Sequence, residues 1–142
     1  GIGYFTLPMA VHSEPARIIA HEINPNSQRY LKMNAQLNGV SKIVEPVLGD
    51  CLEAEEKIAD RIVMGYVGTT HEYLPKAMKI LKDTGIIHYH ETCPDRLMPD
   101  RPQERVIAAA INAGKSVEMM EMSIIKTYSP GVVHVVVDAL IK

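Results

Sequence analysis

Gly1 and Gly3, one residue apart in Gly1-Ile2-Gly3-Tyr4-Phe5-Thr6, let a backbone turn tightly and approach a ligand closely. The apolar segment behind them can start a helix. Such pairs are frequent in ordinary turns, and here a carboxylate gives the pair weight. Glu22 closes a candidate strand, Ala16 to Glu22, and lies nineteen residues after Gly3. That is close to the ~20-residue spacing at which nucleotide-binding α/β units present an acid to ribose hydroxyls. The two signals together point to an adenosine-containing cofactor. In a doubly wound sheet a glycine loop of this kind follows the first strand. No residue precedes Gly1, so we expect an N-terminally truncated sheet that begins just after its central first strand.

In open α/β sheets ligands bind at the carboxyl ends of the strands, and the remaining candidates fall there. Asp50 can accept a hydrogen bond from an adenine amino group while the Cys51 amide donates to the ring; it can equally cap a helix. Tyr66, in Gly65-Tyr66-Val67, can stack on a base or pack at a strand end. In His88-Tyr89-His90-Glu91 the two imidazoles share one strand face and Glu91 points to the other, so the three do not converge and no metal is expected. The histidines read as hydrogen-bonded strand-end groups, or as groups that orient a substrate or take a proton, with His90 the candidate base. Arg96, Arg101 and Arg105 cluster around a Pro-rich loop. They are either solvated or placed to hold a phosphate, and Arg96 and Arg101 are the substrate-binding candidates. His71 and Glu72 read as capping or surface groups.

The elements that must position these residues follow from pattern. A short helix runs from Phe5 to about His12. Asn24-Pro25 starts a second helix with an N-cap Asn and Pro at the first position, and Asn38-Gly39 ends it. Its apolar positions Tyr30, Met33 and Leu37 lie at helical spacing and predict the core face. A strand within Ser41 to Gly49 and a short acidic helix near Leu52 to Lys57 follow. Ala59 to Val67 is a near-continuous apolar strand of the kind buried in parallel sheets. Thr70 is placed to cap a helix from Glu72 to Leu81, and Asp83-Thr84-Gly85 predicts a turn into the strand Ile86 to Glu91. A loop with Pro94, Pro99 and Pro102 precedes a helix from Glu104 to Ala113. Two strands, about Val117 to Tyr128 and Val132 to Ile141, finish the chain; Ser129-Pro130-Gly131 is too short for any but antiparallel pairing. The expected fold is α/β, a parallel sheet with an antiparallel last strand.

The chain has 142 residues, 46% hydrophobic and 23% charged, which predicts one globular domain over residues 1–142. Eight methionines read as flexible core filling. A net charge of −2 does not announce a nucleic-acid binder, so any grip on RNA must come largely from elsewhere. Cys51 and Cys93 follow no metal spacing, and reduced thiols in a cytoplasm are expected. No apolar run approaches the ~20 residues of a membrane span.

The motifs Gly1-Ile2-Gly3-Tyr4-Phe5-Thr6, Glu22-Ile23-Asn24-Pro25, Gly49-Asp50, Met64-Gly65-Tyr66-Val67, Thr70-His71-Glu72-Tyr73, Ile87-His88-Tyr89-His90-Glu91 and Tyr128-Ser129-Pro130-Gly131-Val132 together resemble one family. It is the archaeal tRNA wybutosine-synthesising aminocarboxypropyl transferases, close relatives of the tRNA guanine N1 methyltransferases. The resemblance covers essentially the whole chain. It implies a class I S-adenosylmethionine-dependent methyltransferase (Rossmann-like) fold whose last strand is antiparallel. It makes Glu22 the ribose ligand and Asp50 with Cys51 the adenine site, with Gly1, Gly3, Phe5 and Ile23 also cofactor-binding. His90 and Tyr66 are then the catalytic candidates. It also implies an N-terminal RNA-binding part outside this chain, and transfer of the 3-amino-3-carboxypropyl group of S-adenosylmethionine to a carbon of a tricyclic base 3′ of the tRNA anticodon. Enzymes of this fold that methylate nitrogens usually offer an Asn after the fourth strand, in Asn-Leu-Pro or Asn-Pro-Pro-Tyr. Met64-Gly65-Tyr66-Val67 has none, which favours a carbon nucleophile. The alternatives are a guanine N1 methyltransferase and a non-catalytic cofactor- or RNA-binding module.

Overall fold

Strands and helices alternate along the chain until a closing hairpin, as the pattern requires. A computed structural model describes residues 1–142. The elements are α1 (Thr6–His12), β1 (Ile18–Glu22), α2 (Pro25–Leu37), β2 (Val44–Leu48), β3 (Ala59–Met64), α3 (Leu74–Ile80), β4 (Leu81–Pro94), α4 (Asp100–Asn112), β5 (Val117–Ser129) and β6 (Val132–Ile141). Short 3-10 turns lie at Cys51–Glu53, Thr70–Tyr73 and Asp95–Leu97. The residues group into two compact units, Gly1–Ala54 and Glu55–Lys142, each with its own sheet. No helix is long and apolar enough to cross a membrane.

In the first unit β1 and β2 pair in parallel, from Ile18 opposite Val44 to Glu22 opposite Leu48. The crossover helix α2 starts as its sequence dictates. Asn24 Oδ1 accepts from the Asn26 and Ser27 amides at 2.9 and 3.3 Å, and Pro25 supplies a first-turn residue that needs no partner for its nitrogen. Gly39, at φ +68°, follows its end.

The buried face of α2 differs from the expected one. Gln28, Leu31 and Ala35 point inward, whereas Tyr30, Met33 and Leu37 are exposed. Both triplets have the same spacing and sit about 200° apart around the axis, so periodicity alone does not choose between them. Two polar anchors do. Gln28 Nε2 donates to the Pro46 carbonyl at 3.2 Å, and Asn34 Nδ2 to the Ile2 carbonyl at 3.0 Å. Ala10, Ala35, Val40 and Val44 form the small core beneath.

In the second unit the strand order is β3-β4-β6-β5. β3 and β4 are parallel, and β6 is antiparallel to both of its neighbours. One face of the sheet carries α3 and α4 over a core that includes Met64, Leu74, Met78, Ile87, Tyr89, Val106, Val137 and Ile141.

Two local expectations are corrected here. Thr70 does not cap a helix: residues 70–73 form a 3-10 turn, α3 begins at Leu74, and the Thr70 hydroxyl is buried without a partner. Asp83-Thr84-Gly85 does not end a helix-to-strand turn but lies inside β4. The register passes from Ala59 opposite Leu81 to Arg61 opposite Ile86, so the extra residues bulge out while both flanks stay paired.

Gly85 holds that bulge shut. A Cβ there would lie 2.6 Å from Leu81 Cδ2 and 2.8 Å from the Asp60 carbonyl oxygen. The backbone contact cannot rotate away. Gly85→Ala is expected to destabilise the chain by about 1–3 kcal/mol, read as a lower denaturant midpoint.

Candidate functional site

The carboxyl ends of β1 and β2 bring together the first group of sequence candidates. Gly3 adopts φ +113°, and a Cβ there would lie 2.8 Å from Leu7 and 3.0 Å from Leu31. Both the conformation and the packing require glycine. The loop folds back so that the Gly1 amino nitrogen contacts Glu22 Oε2. Glu22 Oε1 accepts from the Asn24 amide at 2.7 Å, and the Glu22 carbonyl accepts from the Gly49 amide at 3.1 Å. Glycine loop, acid and the turn after β2 are thus contiguous.

Asp50 follows directly. Its Oδ1 accepts from the Leu52 amide at 2.9 Å and caps the 3-10 turn that begins at Cys51. Burial, then the neighbouring Asp50 charge, push the Cys51 thiol up, so it stays protonated. Ile23, Leu52 and Phe5 expose apolar side chains at these loops. Leu52 was not singled out from the sequence; an exposed leucine just past a strand-end acid was the available signal. His21, on β1, has a buried Nδ1 without a partner.

In the second unit the ends of β3 and β4 carry the rest. Tyr66 is 65% exposed, and its ring meets Tyr73 edge-on with centroids 6.5 Å apart. Arg96 is exposed on the 3-10 turn after β4. Arg101 is not a free surface cation: its Nε donates to Glu91 Oε1 at 3.0 Å, and one terminal nitrogen to the Thr92 carbonyl at 2.6 Å. Arg105 donates to Glu91 Oε2 at 2.7 Å, and the Tyr89 hydroxyl bonds the same oxygen.

Glu91 is 1% exposed. Burial by itself raises the pKa of such a group. Bonds from Tyr89, Arg105 and Arg101 outweigh it and hold the carboxyl below its usual range. The Tyr89 hydroxyl is pushed up, by burial first and then by Glu91. This network was missed in the sequence, although Arg101 and Arg105 stand four apart and so share one helix face.

The opposite face of the same sheet carries a polar row. His88 Nδ1 lies 2.6 Å from Asp138 Oδ1, and its Nε2 lies 3.1 Å from a terminal nitrogen of Arg61. His90 Nδ1 lies 3.1 Å from His134 Nε2. His88 and His90 do share a face with Glu91 on the other, as strand alternation demands. Burial, then the adjacent His134 and His88, push His90 down to about 4. His134 is also lowered, by burial and by Lys126.

These shifts fix the sign of a pH effect. In the unfolded chain His90 takes up its proton near 6.5, and the native chain resists it down to about 4. His90 therefore contributes stability that is complete above pH 6.5 and lost as pH falls through that window. His134 acts in the same direction, and Glu91 extends the loss to lower pH. Urea midpoints are expected to drop as the buffer goes from about pH 7.5 to about pH 4.5, and His90→Gln to flatten that dependence.

Comparison with known proteins agrees with this geometry. Residues 1–120 match the family model described as the TRM5/TYW2 methyltransferase domain. The chain is 46% identical over 140 residues to the tRNA(Phe) (4-demethylwyosine(37)-C(7)) aminocarboxypropyltransferase of Methanocaldococcus jannaschii, covering 98% of this chain and 56% of that protein. Against the enzyme of the same name from Pyrococcus horikoshii it is 45% identical over 139 residues, covering 97% of this chain and 50% of that one. The crystal structure of M. jannaschii TYW2 in complex with AdoMet superposes with a TM-score of 0.96 at 45% identity, over 100% of this chain and 65% of that one. The chain thus spans about half the length of the curated relatives it matches. Its parallel strands with an antiparallel last strand, its glycine loop with Glu22 and this similarity agree, and the chain belongs to the TRM5/TYW2 methyltransferase domain family, with the α/β fold of S-adenosylmethionine-dependent methyltransferases.

Proposed function

We propose that residues 1–142 form the S-adenosylmethionine-binding catalytic part of a cytoplasmic tRNA-modifying transferase. It moves the 3-amino-3-carboxypropyl group of the cofactor to a carbon of the wyosine-type base 3′ of the anticodon. The observation that carries the reading is the segment after β3. Gly65, exposed Tyr66 and Val67 offer no side-chain amide there. A ring nitrogen that must be held by its N–H would lack that acceptor, and a carbon nucleophile has no need of one. The similarity to two aminocarboxypropyltransferases over nearly the whole chain supports the same choice.

The residues present fit the cofactor. The Glu22 carboxylate, beside the glycine loop, suits a ribose diol. Asp50 and the Cys51 amide suit the adenine edge, and exposed Ile23 and Leu52 suit the faces of a planar ring. Gly1, Gly3 and Phe5 line the loop where backbone can approach closely. The bound cofactor supplies an electrophilic carbon next to its sulfonium.

The chain's own groups do the remaining work. Tyr66 stacks on the base and holds it in place. His90, neutral at physiological pH because its pKa lies at about 4, accepts the proton that leaves the alkylated carbon. A cationic base so formed is acidic enough for a weak acceptor. Arg96 contacts backbone phosphate, and Arg101, in the first turn of α4 and held by Glu91 and the Thr92 carbonyl, stands behind it.

Two measurements on the full-length protein test this. Chromatography after incubation with tRNA and S-adenosylmethionine is expected to give 5′-methylthioadenosine and an aminocarboxypropylated nucleoside. Stoichiometric S-adenosylhomocysteine with a methylated guanine would replace the reading by N1 methylation. Glu22→Gln is expected to weaken cofactor binding by about 1–3 kcal/mol in calorimetry, and unchanged affinity would remove Glu22 from the ribose site.

A further inference from the structure

A continuous chain of hydrogen bonds runs from the interior of the second unit to its exposed strand ends. It starts at the Glu91 carboxylate, buried between β4 and α4. Arg101 links that carboxylate to the Thr92 carbonyl at 2.6 Å. Thr92 in turn donates both its amide, at 3.2 Å, and its hydroxyl, at 3.3 Å, to the Val67 carbonyl. Val67 is the residue next to Tyr66. On the other branch, Arg101 and Arg105 hang the first turns of α4 on the same carboxylate, and with them the segment Pro94–Pro99 that carries Arg96.

We propose that Glu91 is a positioning residue for the transfer reaction: through Arg101 and Thr92 it sets the Gly65-Tyr66-Val67 segment, and through Arg101 and Arg105 it sets the Arg96 segment. The inference rests on the transfer reading above. It goes further in naming what aligns the two segments with one another. A polypeptide stretch that leaves a strand end has few restraints of its own, and Tyr66 has no side-chain bond that would fix it except its edge contact with Tyr73. One carboxylate bonded to two guanidinium groups fixes both stretches in a single frame, because Arg101 is shared. A neutral side chain at position 91 would keep the shape and leave two arginines with no counter-charge. Arg101 would keep an acceptor at Thr92 but lose the ionic partner that fixes its guanidinium between the two.

The test uses the full-length enzyme at a temperature well below its unfolding transition, with kcat for nucleoside formation and calorimetric Kd for S-adenosylmethionine read in parallel. Glu91→Gln is expected to lower kcat roughly 10-fold or more, since small misplacements of reacting groups cost that much, with Kd unchanged within about twofold. Thr92→Val removes only the hydroxyl bond to Val67 and preserves strand shape. It is expected to lower kcat about threefold or more, whereas Thr92→Ser, which keeps the hydroxyl, stays within about twofold of the parent. If Glu91→Gln does not fold, the Val and Ser pair decides alone. Full kcat in Thr92→Val would overturn the proposal. So would parallel loss of kcat and cofactor affinity, which marks a purely structural carboxylate. The product made by the unmodified enzyme tests the transfer reading separately, because the ratio of variant to parent rates is read on whichever product forms.

Discussion

Parallel pairing is the constraint on which the rest depends. Two strands that run the same way must end at the same edge, and their backbone polarity makes the carboxyl edge the place where loops diverge. In the first unit this puts Glu22 beside Gly49 and Asp50, because Glu22 is paired with Leu48. In the second it puts Tyr66 just beyond β3, with Val67 beside Thr92 on β4. This gathers an acid, a glycine loop and the Gly49-Asp50 turn within a few residues of paired strand ends. The crossover helices α2 and α3 are the price of that geometry, and the Asn24 cap and the Gly39 stop of α2 are the signals that the sequence displays most openly.

The sequence was most legible where a backbone requirement selects a residue type. Asn24-Pro25, Gly3, Gly39 and the Ser129-Pro130-Gly131 turn all sit where the pattern placed them. It was least legible where a choice depends on a partner distant in the chain. Tyr30, Met33 and Leu37 made a stripe as regular as the one that is buried, and only the anchors of Gln28 on Pro46 and Asn34 on Ile2 separate the two. Thr70 looked like a cap because its neighbours continue as a helix, yet a 3-10 turn intervenes. Arg101 read as a surface cation because nothing in its own segment reveals a carboxylate ten residues back, inside the core. The site candidates were visible as residue types at strand ends, while the network that holds them was not.

The two faces of β4 show how one strand serves two electrostatic regimes. Its inward side buries Glu91 with two guanidinium groups and keeps the charge by compensating it. Its other side keeps His90 neutral by burial beside a second imidazole. Alternation along the strand sends these consecutive residues to opposite faces, so they do not touch. An ionised carboxylate and a neutral imidazole therefore occupy adjacent positions under the same solvent pH.

The position of β6 also governs when the second unit can form. β6 lies between β4 and β5, and it is the last of the sheet's strands in chain order. Its ten partners on β4 lie well upstream, from Pro94 opposite Val132 to Gly85 opposite Ile141. A chain emerging from the ribosome therefore carries β4 with one edge open, and β5 with nothing to join, until the final strand arrives. The valine-rich β6 is therefore the strand that joins the two parts of the sheet.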